Sequence, residues 1–321
     1  MDKAAYQEIC PLLRNAQRIM LLSHIRSDGD AVGSLLGLGL AMQAIEKDVS
    51  MILPEGLPET FSHLEGSELI RARPVGEYDL IIVVDCSDLE RVGNALLNHK
   101  TPDINIDHHP TNTEFGRYNL VDSQAVATAE MITELLQVCD LPITKPVADA
   151  LLFGLITDTL GFRTANMTAK ALRLAADLVE AGGNLPDLYQ RGLLSRTFEA
   201  ARFWGAGLTN LQRDGRLIWT TLRLQDRQAA GYPGRDDADL TNILSTIEGA
   251  DVAIVFTEQA NNHVKVSWRS EPGFDVSQVA LKFGGGGHAA AAGADIEGTL
   301  NEVQQQVLQV TKATLGLDGT V

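Results

Sequence analysis

The residues with chemistry to offer are histidines and aspartates, and they recur in a pattern. His24-x-x-x-Asp28-x-Asp30 comes first, then Asp85, then Asp107-His108-His109, and finally Asp158 inside Gly154-Leu155-Ile156-Thr157-Asp158-Thr159. Imidazole and carboxylate together suit hard-to-borderline divalent cations. One carboxylate would be enough to cap a helix, so Asp28 or Asp30 could serve simply as an N-cap. Two carboxylates and a histidine within seven residues suit a metal site better. Asp158 lies in an otherwise apolar helical run, where an unpaired carboxylate is expensive to bury. It needs a cation or several donors; a metal and a salt bridge to Arg163 are the two candidates.

The elements that must position these groups can be read around them. Short apolar runs at residues 18–23, 78–84 and 103–106 read as buried parallel strands, and each ends in one of the polar groups: His24, Asp85 and Asp107-His108-His109. In open parallel sheets the carboxyl ends of the strands form the ligand edge, so three strands would deliver these side chains to one crevice. Helical patterns at 32–45, 127–138, 147–157 and 168–180 alternate with or follow the strands. The expected fold is α/β: a doubly wound, mostly parallel sheet. Gly33, Gly37 and Gly39 fall within the first of these helices and suit close packing.

Beyond about residue 190 the pattern changes. Strands are expected at 216–224, 251–257 and 263–268, the last two joined through an Asn261-Asn262 turn. A helix at 239–247 intervenes, and helices at 276–282 and 300–315 follow, separated by a glycine cluster and an alanine run. The expected division is a catalytic domain over 1–190, a partly helical connector over 191–212 and a smaller α+β domain over 213–321. Four glycines at 284–287 could be a helix stop, but a stop needs one. Four expose backbone N–H groups able to cradle a phosphate. Gly285, Gly286, Gly287, His288 and the fork of donors on Arg269 are therefore candidates for gripping a terminal phosphate, with Arg163 as a further substrate contact.

The chain has 321 residues, 45% of them hydrophobic and 21% charged, a globular composition with room for two domains. A net charge of −16 repels long nucleic acid, so a long duplex is not an expected partner; a short substrate, a short RNA or a mononucleotide, can still bind through a few local groups, and the acidity serves solubility equally well. No apolar run approaches the ~20 residues of a membrane helix. The opening segment from Met1 to Ala5 has no basic stretch followed by an apolar one, so no secretory signal is expected. Cys10, Cys86 and Cys139 are odd in number and far apart, and read as reduced thiols of a cytoplasmic protein.

Five motifs in order resemble the DHH phosphoesterase superfamily, named for the triplet found here as Asp107-His108-His109. They are His24 to Ser34, the Val83-Val84-Asp85 strand end, Asp107 to Pro110, Thr157-Asp158-Thr159, and Gly284-Gly-Gly-Gly-His288-Ala-Ala-Ala-Ala-Gly293, similar to the GGGHxxAAG signature of the family's associated domain. Val266 to Ser270 also matches, and the resemblance spans nearly the whole chain. Length and C-terminal signature are most similar to the nano-RNase and 3′-phosphoadenosine-5′-phosphate (pAp) phosphatase group. The resemblance implies two divalent metals, typically manganese, with magnesium or cobalt as alternatives. His24, Asp28 and a bridging Asp85 would hold the first, and Asp30, Asp85, His108 and Asp158 the second. Asp107 would orient a histidine ring, and His109 would face the scissile phosphate. The family also implies a homodimer.

The expected activity is hydrolysis of short oligoribonucleotides, linear dinucleotides or pAp by a water activated between two metals ~3.5–4 Å apart. The glycine-rich domain would grip the far end of the substrate. Cyclic-dinucleotide phosphodiesterase and single-strand exonuclease of the RecJ sort are the alternatives within the chemistry. An inorganic pyrophosphatase is disfavoured by the glycine signature. A non-catalytic RNA-binding or nucleotide-sensing protein is the alternative of another class, and a complete ligand set argues against it.

Overall fold

The computed structural model describes residues 3–96 and 101–317, so the Met1-Asp2 start of the segment read for a signal lies outside the described residues. The chain divides into two compact units between Ser195 and Arg196.

The first unit runs α1 (Lys3–Asn15), β1 (Arg18–Leu22), α2 (Gly29–Gln43), β2 (Asp48–Ile52), β3 (Leu80–Val84), β4 (Ile104–Asp107), β5 (Tyr118–Val121), α3 (Thr128–Val138), α4 (Lys145–Asp158), α5 (Ala169–Glu180) and α6 (Leu185–Tyr189). The sheet order is β2-β1-β3-β4-β5, with every pairing parallel. The chain reverses its direction of strand addition between β1 and β3, so those two strands flank the switch point where open α/β sheets bind ligands. Every residue of β3 is buried, as the unbroken Leu-Ile-Ile-Val-Val run requires of a strand covered on both faces. One face packs under Val32, Leu36, Ile132 and Leu151, the other under Cys86, Val92 and Ala95.

Helices α2 and α4 lie in close contact, and glycine makes this approach achievable. A Cβ on Gly33 would sit 2.5 Å from the Ala150 carbonyl oxygen and 2.8 Å from the Gly154 nitrogen. One on Gly37 would collide with Leu151, and one on Gly39 with Met51. The close packing expected of these glycines is present. Helix α2 starts at Gly29, three residues earlier than its apolar periodicity suggests, because Asp28 caps it.

The cysteine expectation is corrected by the fold. Cys10 and Cys139, 129 residues apart in sequence, form a disulfide; Cys86 is free and buried. Cys10 sits on α1 and Cys139 just past α3, and the packing of α1 against α3 brings them together. Sequence spacing carries no sign of that contact.

The second unit runs α7 (Phe198–Thr209), β6 (Gln212–Asp214), β7 (Leu217–Leu222), α8 (Leu224–Ala230), α9 (Leu240–Leu244), β8 (Val252–Gln259), β9 (His263–Ser270), α10 (Ser277–Leu281), β10 (Gly286–His288), β11 (Ala291–Glu297) and α11 (Leu300–Leu315). Within the 191–212 stretch expected as a connector, α7 buries Ala200 and Phe203 in this unit's core. The sheet order is β10-β11-β9-β8-β7-β6, antiparallel except for the parallel β7–β8 pair. Trp268, Val264 and Val266 pack with Val279, Val303 and Val307 on one face, while Phe203, Leu222, Leu240 and Val255 fill the other. Asn261 and Asn262 both take positive φ, 59° and 60°, as a two-residue turn between β8 and β9 demands.

The glycine and alanine clusters, read as a break between helices, instead form the β10–β11 hairpin. Gly286 pairs with Gly293, Gly287 with Ala292 and His288 with Ala291. Neither segment has β-branched residues at the paired positions; the pairing of β11 with β9 along its full length supplies the order.

Candidate metal centre

Three strand ends converge as the polar pattern suggests, and local hydrogen bonds fix how each side chain leaves its strand. His24 follows β1. Its Nδ1–H donates to the Ile25 carbonyl at 2.7 Å, which turns Nε2 toward the site as the nitrogen available to a cation. Nε2 lies 3.6 Å from Asp85 Oδ2 and 4.0 Å from Asp28 Oδ2. Asp28 divides its two oxygens between two tasks: Oδ1 accepts from the Ala31 N–H to cap α2, and Oδ2 faces His24. The choice between cap and ligand is thus not exclusive.

Asp85 follows β3 with a left-handed φ of 53°, a conformation that costs a non-glycine residue about 1 kcal/mol or more. Its N–H donates to the Ile106 carbonyl, and its Oδ1 accepts from Thr128 Oγ1 at 2.9 Å. Oδ1 also lies 3.8 Å from His108 Nε2, whereas Oδ2 faces His24. The carboxylate therefore spans two groups of donors. His24, Asp28 and Asp85 form one cluster, and Asp30, Asp85 and His108 a second, with ligand atoms within 4.8 Å of one another in each. His108 Nδ1–H points at the Ala125 carbonyl (3.4 Å), again leaving Nε2 for a cation, and Asp158 Oδ2 lies 3.6 Å from that Nε2.

Asp30 has a second partner set. Helix α3 has Ala127 at its N-cap, which offers no capping side chain. Asp30 supplies the acceptor instead: Oδ2 takes the Thr128 N–H at 2.6 Å, and Oδ1 takes the Ala129 N–H at 3.0 Å and Ser34 Oγ at 3.2 Å. A carboxylate at the positive end of a helix is well placed electrostatically.

Charge in the centre is unbalanced. Burial, followed by the charges of Asp85 and Asp158, pushes the Asp30 carboxyl well above the usual range. Asp158 is pushed up in the same way, by burial and then by Asp28 and Asp85. Asp85 goes the other way: burial would raise it, but the surrounding His24, His109 and His108 rings hold it below the usual carboxylate range. Asp85 Oδ2 is buried with no hydrogen-bond partner among the described residues, a costly state for a carboxylate oxygen. The donor types, the orphaned oxygen and the crowded carboxylates all fit divalent cations shared through Asp85.

The DHH triplet's outer members, Asp107 and His109, also group with Asp85, whose Oδ1 lies 3.7 Å from His109 Nδ1. His109 Nδ1–H donates to Asp107 Oδ1 at 2.7 Å, and Asn112 Nδ2 donates to Asp107 Oδ2 at 2.6 Å. Asn112 is itself held by Asn105 Nδ2 at 2.9 Å. Burial lowers the affinity of His109 for its proton, but the Asp107 bond and the charges of Asp85, Asp107 and Asp158 raise it further, to a pKa of about 9.

The substrate-side candidates are placed less uniformly. Arg163 is exposed beyond the end of α4, and no ion pair joins it to Asp158 among the described residues. Arg269 is engaged inside its own unit: Nε donates to Asn242 Oδ1 at 2.8 Å and one terminal nitrogen to the Trp268 carbonyl at 3.0 Å. Gly285 and Gly287 are required by the approach of β11, since a Cβ would collide with the Gly293 and Ala291 carbonyls respectively. Gly286 has open space around it, and with His288 it is exposed on the outer strand.

Several contributors lie outside the sequence pattern. Thr128 and Asn112 each buttress a site carboxylate, and the Arg91 guanidinium lies 3.1 Å from His24 Nδ1. Asn112, two residues past Pro110 in a polar turn, had some local signal; Thr128 had none, because its partner Asp85 is 43 residues away.

Comparison with known proteins identifies both units. Residues 18–155 match the DHH family, N-terminal domain, and residues 228–316 match the DHHA1 domain. The chain is 34% identical over 301 residues to the bifunctional oligoribonuclease and PAP phosphatase NrnA of Thermus thermophilus, covering 92% of this chain and 90% of that protein. It shares the fold of an exopolyphosphatase-related protein from Bacteroides fragilis, with TM-score 0.89, 24% identity and 98% of both chains covered. RecJ from Thermus thermophilus, in complex with Mn2+, superposes with TM-score 0.58 at 17% identity, over 98% of this chain and 55% of that one. The chain belongs to the DHH family of phosphoesterases, with a DHHA1 domain in its second unit.

Proposed function

We propose that this protein hydrolyses the phosphoester bonds of short oligoribonucleotides, linear dinucleotides such as pGpG and pApA, and pAp, with two manganese ions. The observation that carries the reading is the pair of His/Asp clusters sharing Asp85 at the β1/β3 switch point. The NrnA relative, whose name gives both activities, supports the substrate class. His24, Asp28 and Asp85 would hold one ion; Asp30, Asp85, His108 and Asp158 would hold the other. When bound, the ions would lower the pKa of a water and neutralise charge on the phosphoryl oxygens.

The chain's own residues supply the rest. Ile25 and Ala125 carbonyls fix the two imidazoles with Nε2 free. Thr128 and the α3 N-terminus fix Asp85 and Asp30. His109, oriented by Asp107, is assigned to the phosphoryl group, where a donor ring N–H would favour the transition state. Arg163 is a further proposed contact. In the second unit, Gly286, His288 and Arg269 are assigned to the distal phosphate, with Asn242 setting the direction of the Arg269 fork. The net charge of −16 is in keeping with short or single nucleotides as substrates rather than long nucleic acid. The proposal includes a cytoplasmic location, a reducing compartment in which the Cys10–Cys139 link would be open to reduction.

The test is a manganese-dependent panel: pAp, pGpG, pApA, cyclic di-AMP, a five-nucleotide RNA, a long single-stranded DNA and pyrophosphate. The proposal expects pAp, the linear dinucleotides and the short RNA to be consumed. Preference for cyclic di-AMP or long DNA would replace the substrate assignment, and inertness toward every phosphoester would overturn the enzyme.

A further inference from the structure

Beside the first cluster lies an open cleft of about 620 Å³ lined by Ile25, Asp88, Leu89, Glu90, Arg91 and Thr113, a volume in the range of small-molecule sites. Its wall is tied directly to the metal centre, since the Ile25 N–H donates to the Arg91 carbonyl at 2.8 Å. The Asp88 carboxylate is already engaged: Oδ1 takes the Arg91 N–H at 3.0 Å, and Oδ2 lies 3.3 Å from Ser87 Oγ. These backbone contacts dock the 88–91 turn, so the Arg91 side chain is not needed to hold it.

That side chain is nonetheless close to the centre. Its terminal nitrogen lies 3.1 Å from His24 Nδ1. The ring nitrogen is committed as a donor to the Ile25 carbonyl, so it cannot accept from Arg91. Two donors therefore face each other, and no carboxylate lies within ion-pair distance of the guanidinium among the described residues. A cation beside a metal ligand, lacking a counter-ion, weakens cation binding by itself. An anion arriving in the cleft would satisfy the guanidinium and remove that penalty.

We infer that Arg91 is a substrate-binding residue, which receives a phosphate oxygen of the bound nucleotide in the cleft beside the His24–Asp28–Asp85 cluster. The planar fork suits two oxygens of one phosphate. The inference rests on the proposed phosphoesterase reading, and it predicts that Arg91 contributes to the affinity for phosphate monoesters as well as to turnover.

The experiment is calorimetric titration of AMP into the manganese-loaded full chain for the wild type, Arg91→Lys and Arg91→Ala, with bound manganese measured on the same samples. Michaelis constants for pGpG are determined alongside. Arg91→Ala should weaken AMP binding and raise the Michaelis constant by about 10- to 100-fold, the effect of losing a charge-assisted contact. Its manganese content should stay at the wild-type value. Arg91→Lys should recover part of the loss, and added guanidinium should partly rescue Arg91→Ala. Unchanged AMP affinity with manganese retained would overturn the inference, as would a loss of affinity that merely follows a loss of manganese. Should Arg91→Ala not fold, Arg91→Lys carries the comparison, and AMP affinity equal to wild type there, without any change in Michaelis constant, overturns it too. AMP binding requires no turnover, so a wild type inert on the whole panel would fail the functional reading without touching the Arg91 result.

Discussion

Replacing Gly33 by alanine tests whether the metal centre depends on the spacing of two helices. Helix α2 carries Asp30 near its first turn, and α4 ends on Asp158. The new Cβ would stand 2.5 Å from the Ala150 carbonyl oxygen, and ordinary contact begins near 3.4 Å, so the helices must part by about 0.9 Å. The colliding atoms belong to the backbone, which cannot rotate away. Overpacking of this kind costs roughly 3 kcal/mol, at the upper end of the usual range. The better helix propensity of alanine returns about 1 kcal/mol. The expected net loss is about 2 kcal/mol, read as an earlier urea transition by far-UV circular dichroism. Faster hydrogen exchange in α2 and α4 peptides would locate it. A shift of about 1 Å at Asp30 or Asp158 would also lower turnover on the order of 100-fold. Gly205 is the control: it is exposed within α7, with nothing within 4 Å of its would-be Cβ. Gly205→Ala should stabilise by about 0.5–1 kcal/mol. A Gly33→Ala protein that unfolds at the wild-type urea concentration would refute the packing argument.

Other consequences follow from named contacts. Asn112→Ala removes the donor to Asp107 Oδ2 and should free the His109 ring, lowering kcat about 10- to 100-fold while the urea midpoint moves little; unchanged kcat would argue against a role for that network. Cys10→Ser should lower stability by about 2–4 kcal/mol under oxidising conditions and by nothing measurable once both proteins are reduced. A difference that persists in reductant would mean that the serine itself, rather than the lost link, is responsible.

The parts of the fold that the sequence announces are those where burial and chemistry meet in a short window. β3 is apolar on both faces and ends at Asp85, so strand, polarity and ligand edge could all be read together. Strands β2 and β5 were not apparent: Asp48–Ile52 and Tyr118–Val121 are sheet edges, each mostly half-buried or exposed, and their mixed polarity hides them. The β10–β11 hairpin was hidden for a different reason. Its glycines and alanines have weak strand preference, and their order comes from pairing with β9. Metal-ligand types were legible because histidine and aspartate at strand ends are costly without a purpose. Their supports were not: Thr128 meets Asp85, and Arg91 meets His24, only after the sheet has formed. The double duty of Asp30, as a cap for a helix 98 residues away, is equally a product of tertiary packing.

The central claim is that one carboxylate joins two cation sites, and manganese stoichiometry tests it most directly. Equilibrium dialysis followed by elemental analysis of the wild type and Asp85→Ala, with folding checked by circular dichroism, gives the number of ions per chain. The shared-ligand geometry predicts two ions in the wild type and the loss of both tight sites, with all pGpG hydrolysis, in the folded variant. Two ions retained by Asp85→Ala, or full hydrolysis without them, would contradict it.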